Sequence, residues 1–580
     1  MKRSRINRLA TTVFASAICL SAQNPAQAQP IVMVEQGADW TDHNRQLFYT
    51  TDQGSRIMPL AWMQALTHPD GTPFLADELT RYGYLKNPAT PGLPVGFTTN
   101  DFKGVTAIGM TCAACHTRQI EVDGTEYRLD GGPGIVDFQS FLADIDTAMG
   151  RVVNDGDAFD AFARDVLGAG ASGTDKATLR IALETWYLRY HTLMERALPA
   201  DPWGPSRLDA VSMIFNRLSG LDIGPEPTYL IPENIQPADA PVRYPFLWNA
   251  ARQDKTQWPG FSDNGNAILG LARNLGEVYG VFAEFHPHRK SGFLLSGVNY
   301  IEDNSANFDG LKRVEDLIWK IGAPKWPWQL DDDLVQTGKE IFDRGTDAGG
   351  CVDCHGIKKG AFRSFSHSTW KTPIQDVGTD ARECEILNRV VKTGILEGEQ
   401  IPFVGTPLPA EAPAFDVLAT SVLNSILQHT LGFFSEEALE SVGEDAGLVL
   451  PHEVQYLQGA FDRMVGEQMQ ESNAGGASCA YEARVMQGIW AAAPYLHNGS
   501  VRSLEDLLKP ARERAKSFRI GPAYDIESVG LAAEQTVFDY TLETTGCDQI
   551  NSGSSNCGHE FGTSLPADEK RALLEYLKSL

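Results

Sequence analysis

The chain has 580 residues, enough for two or three domains with sizeable buried cores. Hydrophobic residues make up 42% and charged residues 21%, a globular balance that excludes wholesale disorder. Lys and Arg number 49 against 75 Asp and Glu, and the resulting formal charge of -26 argues against nucleic acid as a partner.

In chain order, the first segment reads as an export signal. Lys2, Arg3, Arg5 and Arg8 precede an uncharged stretch from Leu9 to Ala22 that is too short to span a bilayer. Ala26-Gln27-Ala28 then offers a small-x-small cleavage pattern. Residues 1–28 are expected to be removed, leaving a periplasmic or secreted protein. No later run reaches the roughly 18 apolar residues of a spanning helix, so no integral membrane segment is expected.

Cys112-Ala113-Ala114-Cys115-His116 comes next, and Cys351-Val352-Asp353-Cys354-His355 repeats its pattern. Each is a C-x-x-C-H, the attachment pattern of c-type haem. One helical turn presents two thiols to the vinyl groups of one macrocycle, and the following imidazole reaches the iron. The pattern predicts two covalently bound haem c groups, on Cys112 and Cys115 with His116, and on Cys351 and Cys354 with His355. A zinc site would want four ligands in paired clusters, whereas these motifs lie 239 positions apart. A thioredoxin-like redox pair would need a βαβ surround that is not visible here.

Helical periodicity predicts helices over 135–153, 177–198, 269–285, 311–321, 331–342, 414–428 and 452–465. A final helix opens at Pro566 and carries Leu573, Leu574, Tyr576, Leu577 and Leu580. Gly338, upstream of Cys351, is expected to admit Tyr576 where these first and last helices cross. Gly-, Pro-, Asn- and Asp-rich stretches over 221–265, 396–413 and 515–565 read as loops, and strand alternation is scarce. The expected fold is mainly α, with little β and two cytochrome c-like haem domains, 29–330 and 331–580, joined near Pro324-Lys325-Trp326-Pro327. Cys384, Cys479, Cys547 and Cys557 form an even set for an oxidising compartment. Cys547 and Cys557 flank a loop that a disulfide could close, but three pairings, or free thiols, fit the sequence.

Further pieces carry a resemblance. They are Phe48-Tyr49, Gln53-Gly54-Ser55, Leu93-Pro94-Val95-Gly96-Phe97, Gly109-Met110-Thr111, Asp130-Gly131-Gly132-Pro133 and Tyr244-Pro245-Phe246-Leu247-Trp248-Asn249. Gln257-Trp258, Arg273-Asn274-Leu275-Gly276-Glu277, Pro494-Tyr495-Leu496-His497-Asn498-Gly499-Ser500 and Gly558-His559-Glu560 complete the set. In this order around two haem motifs, the chain resembles the di-haem cytochrome c peroxidase and MauG superfamily. Within it, the likeness is to the RoxA-like di-haem c-type cytochromes, the branch of the rubber oxygenases.

The resemblance implies a reactive haem at His116, with an open position for peroxide or dioxygen, and an electron-transfer haem at His355. It implies His559 as sixth ligand of the second haem, with Met464, Met469 and Met486 as rivals because the superfamily often uses Met there. Trp258 matches the Trp between the haems, and Glu277 the distal carboxylate that moves a proton as an O–O bond breaks. The branch's distal Phe is missing from Leu271-Ala272-Arg273-Asn274. His497 reads as a brace for its turn, and His286 and His288 as solvent-facing. The expected partner is a small redox protein or small-molecule oxidant. The alternatives are a non-catalytic periplasmic electron carrier and a dioxygenase that cleaves an apolar polymer.

Overall fold

The computed structural model describes residues 31–290, 297–363, 367–401, 406–432 and 479–580. The expected signal peptide, the helix expected over 452–465, and the candidates Met464 and Met469 lie outside the described residues.

Strand β1 (Val32–Met33) leads to α1 (Asp42–Thr50), where Thr41 caps the helix by accepting the Asn44 N–H. β2 (Met58–Pro59) and α2 (Leu60–Ala65) follow. Two hairpins then bracket the first C-x-x-C-H. β3 (Phe97–Phe102) and β4 (Val105–Met110) run into α3 (Cys112–Cys115), and β5 (Thr117–Val122) and β6 (Thr125–Asp130) run out of it. They grow into two three-stranded sheets, β2-β4-β3 and β1-β6-β5. Lys103-Gly104 and Asp123-Gly124 form the tips, all four with positive φ, as a two-residue hairpin turn of the right hand requires. Periodicity gave little strand and did not mark these hairpins.

α4 (Phe138–Asn154) buries Phe138, Phe141, Leu142, Ile145, Met149 and Val152, a helical stripe started by the Asp137 cap. With α5 (Gly156–Leu167) and α6 (Gly173–Ala197), which opens on a Ser172–Asp175 capping box, it builds a helical layer. α7 (Ala210–Arg217), α8 (Ala267–Gly280) and α9 (Phe308–Ile318) follow. α10 (Asp332–Phe342) places Asp332 and Asp333 at the positive end of its dipole. α11 (Val352–His355), α12 (Arg382–Ile386), α13 (Ala414–Gly432) and α14 (Ala567–Ser579) complete the helices that matter here.

α10 and α14 cross as expected. A Cβ on Gly338 would collide with the Ala572 carbonyl, and Phe342 meets the Tyr576 ring edge-on at 5.4 Å. In the segment where the two domains were expected to join, Lys325 and Pro327 are exposed while the tryptophans pack inward. Trp326 and Trp328 meet the Trp490 ring at 5.2 and 6.0 Å, and Trp490 donates to the Pro324 carbonyl at 2.9 Å. One core therefore joins Phe48 and Trp248 with Phe342, Trp490 and Leu573, from both sides of that segment. The disulfides are Cys384–Cys479 and Cys547–Cys557. His286 does not face solvent: its ring stacks on Tyr229 at 4.1 Å and contacts Arg189 at 2.9 Å.

Candidate functional site

At the first motif, β4 delivers Thr111, whose hydroxyl caps α3 by accepting the Ala113 N–H. Gly96 has φ +77 and lies so close that a Cβ would collide with the Ala114 backbone. Cys112 and Cys115 are free thiols, and burial pushes their pKa values up to about 11 and about 12. His116 Nδ1 lies 2.9 Å from the Pro245 carbonyl. A carbonyl only accepts, so Nδ1 carries the proton and Nε2 keeps its lone pair. Burial lowers the His116 pKa to about 4, which keeps the ring neutral. Tyr244 packs edge-on against it at 6.1 Å.

The second motif repeats this arrangement. His355 Nδ1 lies 2.7 Å from the Arg484 carbonyl, and burial again lowers the ring's pKa. Each acceptor lies 129 residues beyond its histidine. A metal-ligating imidazole characteristically gives its other N–H to such a carbonyl, which fixes the tautomer.

Cys351, Cys354 and His355 open on a cavity that is also lined by Trp258, Met486 and His559. The His559 ring faces His355 with centroids 6.1 Å apart. Its loop is pinned hard for an irregular segment. Arg514 donates to the carbonyls of Asn556, Gly558 and His559 at 2.6, 2.8 and 3.1 Å, and the His559 N–H reaches the Val377 carbonyl at 2.8 Å. Gly558 (φ +79) has no room for a Cβ against Gly378. His559 Nδ1 is buried without a hydrogen-bond partner, and burial drops the ring's pKa to about 3.

Trp258 lies in the wall of this cavity. Its Nε1–H reaches the Arg243 carbonyl at 3.1 Å, and its own carbonyl accepts the Glu482 N–H at 2.8 Å. The preceding residue, Gln257 (φ +66), turns away and donates to Glu277 Oε1 at 2.6 Å. Glu277, on α8, lines a second cavity with Phe261, Leu269, Phe415, Leu418 and Val422. Burial raises its pKa above the usual carboxylate value, against the Gln257 hydrogen bond and the Arg273 charge. Arg273 is committed elsewhere, pairing with Glu315 and donating to Asn264 at 2.6 Å. The Glu277 charge adds, after burial, to the upward shift of the Cys112 and Cys115 pKa values.

Sequence reasoning missed the buried arginines. Arg118, Arg243 and Arg484 are all buried, and Arg118 Nε and Nη2, Arg243 Nη1 and Arg484 Nη1 have no hydrogen-bond partner. Burial pulls Arg118 down to about 10 and Arg243 to about 9. Among the described residues, no group of three or more His, Cys, Asp or Glu is placed to hold a metal ion. An iron that takes four nitrogens from a macrocycle has no need of one.

Residues 480–519 match the family model described as RoxA-like, cytochrome c-like. This stretch supplies Glu482, Arg484, Met486 and His497 to the cavity wall around His355 and His559. The chain is also 28% identical to the uncharacterized protein y4iJ of Sinorhizobium fredii, over 93% of this chain and 92% of the relative. A second uncharacterized protein of that organism, y4iM, is 32% identical over 20% of this chain and 31% of its own.

Proposed function

We propose that this chain is an exported di-haem c-type cytochrome that acts as an oxidoreductase on peroxide or dioxygen. One haem would be held by Cys112, Cys115 and His116, the other by Cys351, Cys354, His355 and His559. The observation that carries the reading is the pair of facing imidazoles at the second motif. Rings spaced 6.1 Å centre to centre could hold one haem iron between them. The cytochrome c-like match over 480–519 supports covalent haem in this cavity. The unpartnered guanidinium nitrogen of Arg243 suits the carboxylates that a haem carries at its edge.

A bound haem c supplies one-electron redox chemistry and, where an axial position is open, a place for a small oxidant. The chain's own residues divide the work. His116 and His355 present neutral Nε2 atoms because their Nδ1 protons are tied to carbonyls. His559 closes the second site and makes it an electron store. Glu277, its pKa raised by burial and its Oε1 fixed by Gln257, would act as the acid–base group. Trp258 ties the 243–246 segment, which supports His116, to the 482–484 segment, which supports His355, and bridges the two sites.

The apolar walls of the Glu277 cavity favour a second reading, a dioxygenase for an apolar polymer. Electron paramagnetic resonance of the oxidised holoprotein, with and without peroxide, tests the proposal. The expected result is one high-spin and one low-spin haem, with only the high-spin signal perturbed by peroxide. Two low-spin haems indifferent to peroxide, cyanide and carbon monoxide would make the protein an electron carrier instead.

A further inference from the structure

Arg484 serves the second site directly and reaches towards the first through Phe246. Its backbone carbonyl accepts the His355 Nδ1–H at 2.7 Å. Its guanidinium lies 4.0 Å above the centre of the Phe246 ring, and Phe246 is bonded to Pro245, whose carbonyl accepts the His116 Nδ1–H. The guanidinium is further held by Gln253 Oε1 at 2.7 and 3.1 Å and paired with buried Glu482 at 3.5 Å. A buried cation held over the residue next to an acceptor carbonyl acts through a low-dielectric interior and weakens that carbonyl's pull on the imidazole proton. The imidazole becomes a poorer electron donor, and the reduced iron is favoured.

We infer that Arg484 is a positioning residue shared by the two haems: its backbone orients the His355 ligand, and its side chain, stacked on Phe246, raises the reduction potential of the haem at His116. The inference rests on the di-haem reading. Arg484 touches neither substrate nor iron, so its signature is a potential rather than a rate. Glu482 opposes it, because its carboxylate partly cancels the guanidinium charge.

Redox titration of the full-length holoprotein, followed by electron paramagnetic resonance at each haem's own signal, provides the test. Arg484→Gln should lower the potential of the His116 haem by the equivalent of roughly tenfold in its electron equilibrium, about 59 mV for a one-electron couple. The His355 haem loses the same cation from its surroundings, so its signal is followed separately and the inference stands on the His116 haem alone. Arg484→Lys should restore most of the shift, and Glu482→Gln should move the His116 haem the opposite way. An unmoved His116 haem in Arg484→Gln, or a shift confined to the His355 haem, overturns the inference. If Arg484→Gln fails to fold, Glu482→Gln decides alone, and a null or downward shift rejects the idea. A denatured pigment count of fewer than two haems per chain would sink the di-haem reading itself. Two haems with no shift would sink only the role of Arg484.

Discussion

Replacing His559 by Ala removes one of two rings that face each other at 6.1 Å. The His355 haem should then turn from low-spin to high-spin and accept an added ligand such as imidazole, read by its optical and magnetic spectra. An unchanged low-spin spectrum would hand the axial role to Met486, which lines the same cavity. Glu277→Gln keeps the shape and the contact with Gln257 but removes the proton. It should slow oxidation of the reduced protein by peroxide by roughly 10²–10⁴ in stopped flow, the usual worth of a placed acid–base group. Burial raises the folded-state pKa of Glu277 above its usual value. Its protonated form therefore persists above the normal carboxylate range. The stability it contributes is full below its unfolded pKa and is lost as pH rises through the folded pKa. Glu277→Gln should flatten that part of the stability–pH curve, measured by urea denaturation.

At the scale of elements, α10 and α14 cross with no space beyond Gly338, where a Cβ would collide with the Ala572 carbonyl. Gly338→Ala forces the helices apart and should cost about 1–3 kcal/mol, the usual price of overpacking. The measurement is a lower urea midpoint at unchanged slope. Arg514 is the pin of the His559 loop, with three carbonyls in its grip. Arg514→Ala should weaken the low-spin signal of the second haem without touching the first, because the loop that presents His559 loses its anchor. The crossing was readable beforehand from a small residue and an aromatic at matched helical positions. The Arg514 pin was not, since nothing in an arginine 45 residues upstream of a histidine shows which carbonyls it meets. The hairpins around Cys112–His116 had a signal in Asp123-Gly124, which helical periodicity elsewhere overshadowed.

For the molecule as a whole, the Cys384–Cys479 disulfide closes a loop of 95 residues. It sits just before the strand pair Tyr481–Glu482 with Ile374–Gln375, which carries the wall that continues to Arg484. Cys384→Ser with Cys479→Ser should lower stability by about 2–4 kcal/mol, read as a reduced thermal midpoint, with more of the loss in the His355 haem's surroundings. The two halves share one core, so unfolding should not split cleanly at Trp326. Calorimetry that resolves two independent transitions would contradict this.

The sequence by itself determined the two Cys-x-x-Cys-His turns on which the proposed haem attachment rests, because two thiols and an imidazole on one turn form a local pattern that survives any fold. It also determined the main helices and the Gly338 crossing, since apolar spacing and a missing side chain are local properties. Which cysteines pair, what each motif histidine leans on, and where Glu277 points were decided only in three dimensions. Pro245 and Arg484 lie 129 residues from the rings they hold, and any of hundreds of backbone carbonyls would serve as well on paper. His559 was legible as a candidate, but its partner ring across the cavity was not. That meeting depends on a loop pinned by Arg514 and on a glycine, Gly558, that lets two backbones touch.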